Sequence, residues 1–91
     1  MATFRIIYNA YIDTESHPEI SSKQSAIAIA KAMTTNEVGS FDWDKECQSL
    51  NFCEYVLVEA ENENEAVVDN LEAMPQIKDA DYSGVQKLRK R

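Results

Sequence analysis

The chain reads as a single α+β domain in the order β-α-β-β-α-β. Two runs alternate with a period of two, Thr3–Ile12 and Phe52–Glu59, and each is followed by apolar residues at helical spacing. At 91 residues there is room for one core only. A chain this short buries about 60% of its unfolded surface, so its core is expected to be small.

In "TFRIIYNAYI" Phe4, Ile6, Tyr8, Ala10 and Ile12 share one face, and Thr3, Arg5, Ile7, Asn9 and Tyr11 the other. Both faces carry apolar side chains, which predicts a central strand. "DTESHPEI" follows as a loop. Ser21 with Gln24 three residues on resembles a capping box. Behind it Ala26, Ile29, Ala30 and Met33 recur at helical spacing, predicting a helix from Ser22 to about Thr35. Gly39 is expected to end that region. "SFDWDKE", Ser40 to Glu46, sets Phe41 and Trp43 against Asp42 and Asp44 as a half-exposed strand. The short connection to "FCEYVLVE" predicts an antiparallel hairpin.

The next segment, "VEAENENEA", places glutamates at 59, 61, 63 and 65 with no base. Asn62 or Asn64 can cap a helix there, and Glu63 and Glu65 fall in a first turn that favours negative charge. Val67, Val68, Leu71 and Met74 form the expected buried stripe, and Pro75 the stop. A last strand covers about Tyr82 to Lys87. The domain is thus 1–86, with a basic tail at 87–91.

The two halves look like weak repeats: a strand opening with Phe4 or Phe52, an acidic loop, and a helix ending in Met33 or Met74. Two such units in tandem resemble the ferredoxin-like α/β plait, which implies a four-stranded antiparallel sheet with both helices on one face. That fold hosts many activities, so function must come from residues. An RNA-recognition domain carries basic residues and glycine on its third strand. "FCEYVLVE" has two glutamates and neither of those, so this reading fails. An acylphosphatase resembles the same order but cradles phosphate in a glycine-bearing loop, whereas "DTESHPEI" offers carboxylates. A copper-binding relative needs Cys-x-x-Cys in that loop, and it is absent.

Charge is the strongest remaining signal. The net is −7, yet four of the nine bases are Lys87, Arg89, Lys90 and Arg91. Between Glu37 and Glu72 stand eleven acids against Lys45 alone. Such a body repels phosphate, which argues against direct nucleic-acid binding. Cys47 and Cys53, separated by five residues, lack the close-spaced ligand pairs of a metal knuckle, and His17 lies far from both. His17 has Asp13, Glu15 and Glu19 nearby but no nucleophile or oxyanion donor, so an exposed imidazole accounts for it better than a general base. Phe41 and Trp43 are accounted for as sheet packing. No catalytic residue, metal ligand or cofactor is therefore assigned. With no apolar run near the ~20 residues of a membrane span and no basic-then-apolar start, the expected location is the cytoplasm.

"LVEAENENEAVVDNLEAMPQIKDADYSGVQKL", Leu57 to Leu88, looks like the second half of the muconolactone isomerase-like and YCII-like dimeric α+β barrel families, with Leu71 and Pro75 in their rhythm. That resemblance implies pairing with a second copy through the open sheet face, where Ile7 or Tyr11 would otherwise face water. In size and acidity the chain also resembles small phage-type inhibitors that imitate nucleic acid. Asp42, Asp44 and Glu46 form one expected acidic row and Glu59 and Glu61 another; Glu63, already placed in the helix start, completes the expected partner-binding surface. The leading expectation is a small acidic protein-binding module engaging a partner's basic, nucleic-acid-binding groove. The alternative is a dimeric barrel enzyme or small-ligand binder.

Overall fold

A computed structural model describes residues 1–71 and 73–89, with the side chain of Leu71 outside the description. Strands β1 (Ala2–Ile12), β2 (Glu37–Asp44), β3 (Ser49–Ala60) and β4 (Asp81–Lys87) form one antiparallel sheet in the order β2-β3-β1-β4. Helix α1 (Lys23–Ala32) follows β1, and α2 (Glu63–Val68) follows β3, continuing as a 3-10 turn over Asp69–Leu71. Lys87 closes β4 and so belongs to the sheet, while Lys90 and Arg91 of the basic tail lie outside the described residues.

β1 is central because both its edges are paired, one with β3 and the other with β4. Its register with β3 is unbroken from Ala2↔Ala60 to Ile12↔Leu50. Its register with β4 runs only from Phe4↔Lys87 to Asn9↔Asp81, with Ser83 bulged out between. Residues opposite one another in such a ladder project to the same side. The even residues of β1 and β3 therefore share one face, and both helices lie on it. Around α1, Ala26 and Ala30 pack with Ala10, Ile12, Leu50 and Phe52; around α2, Ala66 packs with Phe4, Ile6, Tyr8 and Val56. Alanine on the helices lets their axes approach the large side chains of the sheet closely. Phe41 and Trp43 border the first cluster, Phe41 with its ring 6.4 Å from that of Phe52.

Three local expectations are corrected, and one choice between two caps is decided. The α1 cap is Ser22, not Ser21: the Ser22 hydroxyl accepts from Ser25 N–H, and the Ser25 hydroxyl accepts in return from Ser22 N–H at 2.9 Å. A serine thus does what glutamate or glutamine usually does in a capping box. Gly39 lies inside β2 rather than ending the helical region. The Tyr55 ring covers it so closely that a Cβ there would stand 3.0 Å from Tyr55 Cε2. The second helix is shorter than its apolar residues suggest, and Ala66 and Ala73 are buried while Val68 and Met74 are 74% and 64% exposed. The expected stripe from Val67 to Met74 needs about two turns, but the α-helix ends at Val68, where the stripe has only begun. The α2 cap is Asn62, whose side chain accepts from Glu65 N–H at 2.8 Å.

Candidate functional site

The face of the sheet opposite the helices is uncovered. The pairing registers place on it Arg5, Ile7, Asn9 and Tyr11 of β1, with Asn51, Cys53, Tyr55, Leu57 and Glu59 of β3. From the flanking strands come Glu37, Gly39, Asp42 and Asp44 of β2, and Asp81, Gly84 and Gln86 of β4. Its centre is apolar and aromatic, with Leu57 63% and Tyr11 55% exposed. Its margin is acidic: Glu37, Asp42, Asp44, Glu59 and Asp81 surround a single base, Arg5.

Arg5 is held by stacking rather than by a carboxylate. Its guanidinium carbon lies 4.7 Å from the Tyr55 ring centroid, within cation–π range, and its Nε is enclosed without a hydrogen-bond partner. The Tyr55 hydroxyl meets Ser40 Oγ at 2.9 Å. Ser40 has a φ of 54°, in the left-handed region, at the bulge where β2 steps from Gly39 to Asp42 against Cys53 and Asn51. The bulge thus fixes Tyr55 across Gly39, and Tyr55 fixes Arg5. Cys53 Sγ donates to Asn9 Oδ1 at 3.3 Å, and both cysteines are free thiols. Among the described residues the side-chain contact of salt-bridge type is His17 Nδ1 to Glu19 Oε1, at 3.5 Å. No lysine or arginine among the described residues therefore pairs with a marginal carboxylate.

The six carboxylates named from sequence divide. Asp42, Asp44 and Glu59 are on the open face; Glu46 is in the β2–β3 turn, Glu61 in the bend before α2, and Glu63 at the start of α2. All six are exposed. The expected continuation of the row from Asp44 to Glu46 is broken because the chain turns there. Asp44 Oδ1 accepts from the N–H groups of Cys47 and Glu46, which holds its carboxyl below the usual range, while its charge pushes the Cys47 thiol up. The two acidic groups are also far apart. Asp44 pairs with Ser49, and Glu59 follows ten residues along β3, a separation of roughly 33 Å at the rise of a strand. Glu37 and Asp81, which join them on this face, were hidden in sequence because each opens its strand.

Sequence reading missed Glu54 altogether. It is fully buried on the helix side, opposite Tyr8. Its Oε2 accepts from the Thr34 hydroxyl at 2.6 Å, Asn36 Nδ2 at 3.0 Å and Gln76 N–H at 3.1 Å; its Oε1 accepts from Ile77 N–H at 3.1 Å. Burial pushes the carboxyl up, but the bonds from Thr34, Asn36, Ile77 and Gln76 together outweigh it and hold Glu54 below the usual range. Burial, with Glu54 as a second cause, raises the Tyr8 phenol, whose hydroxyl donates to Asn70 Oδ1. A carboxylate with four donors and no exposure has neither the access nor the basicity of a general base. It is a clamp, tying the segment after α1 to the segment before β4.

No group of three or more His, Cys, Asp or Glu suited to a metal ion occurs among the described residues, and no helix among them is long and apolar enough to cross a membrane. Comparison with protein-family models, with curated proteins and with solved structures finds no match.

Proposed function

We propose that the chain is a ferredoxin-like plait serving as a non-catalytic protein-binding module, and that its open sheet face engages a partner bearing a basic surface. The sheet order, with both helices on one side, supports the fold reading. The observation that carries the function is the composition of the open face. Exposed Leu57 and Tyr11 and the Arg5–Tyr55 stack form an apolar and aromatic centre, bounded by five carboxylates. Protein interfaces favour tyrosine, arginine and apolar residues at the core with charge at the rim. A rim of one sign selects an oppositely charged partner and speeds encounter. A groove that ordinarily holds nucleic acid has that character, so inhibition by occupying such a groove is the specific form proposed. Asp42 and Asp44 lie toward one end of the face, Glu59 at the other, and Glu37 and Asp81 on the flanking strands midway, so they act as a rim and not as a continuous imitation of a phosphate backbone.

The same exposed centre also suits a second copy of the chain, as in a dimeric barrel. Stacking two such faces would bring ten carboxylates together against two arginines, which favours the basic partner. The test is quantitative affinity capture at low and high salt with wild type and a Leu57→Arg/Glu37→Lys variant, alongside sedimentation of the purified chain. The expected result is a monomer that retains a basic protein, less at high salt, with the variant retaining it at least tenfold less. Equal retention by both chains, or a stable symmetric dimer at micromolar concentration, overturns the proposal.

A further inference from the structure

A second site lies where β4 stops short of the end of β1. In an antiparallel ladder the N–H and C=O of one residue point to the same neighbour, and those of the next residue to the other neighbour. Leu88 N–H bonds Thr3 C=O at 2.9 Å, so Thr3 directs its backbone groups toward β4. The β1–β3 register contains no bulge, and the extra residue between β1 and β4 is Ser83 on β4. The parity therefore holds along β1: Arg5, Ile7, Asn9 and Tyr11 all present N–H and C=O on the β4 side. β4 begins opposite Asn9, at Asp81. The residue that would face Tyr11 is Asp79, whose φ of 68° turns the chain away, and Ala80 N–H bonds back to Ile77 C=O. Both backbone groups of Tyr11 consequently lack a partner among the described residues.

They open into a cleft of about 610 Å³, floored by Asn9–Ile12 and walled by His17 on one side and Lys78 and Asp79 on the other. That volume lies within the usual range for ligand sites. A donor and an acceptor side by side in the plane of a sheet are matched by one chemistry, the backbone of another strand. We infer that this notch accepts an extended peptide segment of a partner protein, which pairs with Tyr11 and continues the line of β4. The outer edges of the sheet are poorer templates. β2 is bulged between Gly39 and Asp42 and β4 at Ser83, and bulges blunt an edge against strand addition. The strand floor of the notch is regular. This inference stands on strand parity and does not rest on the reading of the open face.

The probe is a combinatorial library of hexapeptides, selected against the full chain. Selected peptides are expected to slow hydrogen exchange at the Tyr11 amide at least tenfold. In the free protein that amide is expected to exchange faster than those of Ala10 and Ile12, which face β3. Tyr11→Pro removes the outward N–H at a position where proline is tolerated, since no bond to β3 is lost. It is expected to weaken peptide binding at least tenfold with the thermal midpoint little changed, whereas Tyr11→Phe, which keeps the backbone N–H, retains binding. Methylation of the peptide nitrogen facing Tyr11 produces the same loss without touching the protein, and decides the matter if Tyr11→Pro unfolds. A library that yields no binder at 100-micromolar order, or peptides indifferent to both changes, overturns the inference.

Discussion

Replacing Glu54 by glutamine tests the clamp with almost no change of shape. The amide oxygen can take the place of Oε2 and keep the bonds from Thr34, Asn36 and Gln76. The amide nitrogen then meets Ile77 N–H, donor against donor, in a fully buried position. One orphaned buried donor costs about 1–3 kcal/mol, and turning three charge-assisted bonds into neutral ones about 1 kcal/mol each. Relief from burying a charge offsets part of this, leaving about 3 kcal/mol. For a domain of this size that lowers the midpoint of thermal unfolding by roughly 12–24 °C. The pH dependence carries a sign. The folded carboxyl lies below its ordinary value of 4.5, so its contribution is complete above pH 4.5 and is lost as pH falls through the depressed folded value. Urea unfolding of Glu54→Gln and wild type from pH 7 to pH 3 should show a gap that narrows in acid. A gap under about 1 kcal/mol at pH 7, or one that stays constant into acid, refutes the reasoning.

Two further expectations concern local structure and surface. Ser22→Ala should cost about 1 kcal/mol by removing the α1 cap, and Ser21→Ala less than about 0.5 kcal/mol, both by urea unfolding. Leu57→Ser, at a site 63% exposed, should leave stability within about 0.5 kcal/mol while reducing partner capture several-fold.

Much of the fold was legible because period two and helical spacing are properties of single segments. β1 emerged to within one residue of its ends, and β3 from Phe52 onward, without its first three residues Ser49–Asn51. The order of elements emerged too, and Asn62 was one of two caps expected. What escaped depended on contacts between segments. Gly39 reads as a breaker until Tyr55, sixteen residues on, is seen to cover it. Val68 and Met74 read as core, but α2 is too short to bury them, and Ala66 and Ala73 take that role. Glu54 looked like one more surface acid, since nothing in "FCEYVLVE" tells that Thr34, Asn36, Gln76 and Ile77 converge on it. Of the candidate site, the excess of acid was plain from the sequence. The separation of Asp42 and Asp44 from Glu59 on one face required the register, which also added Glu37 and Asp81 on the flanking strands between them.

Cys53 offers the most direct test of the proposed binding face. It lies half-buried on that face, and Cys47 in the distant hairpin turn is an exposed free thiol that serves as an internal control. Maleimide labelling of the chain alone and in complex with its captured partner should show Cys53 protected at least tenfold and Cys47 unchanged. Labelling of Cys53 at the same rate in both states would mean that the partner sits elsewhere and that the open sheet face is not the binding surface.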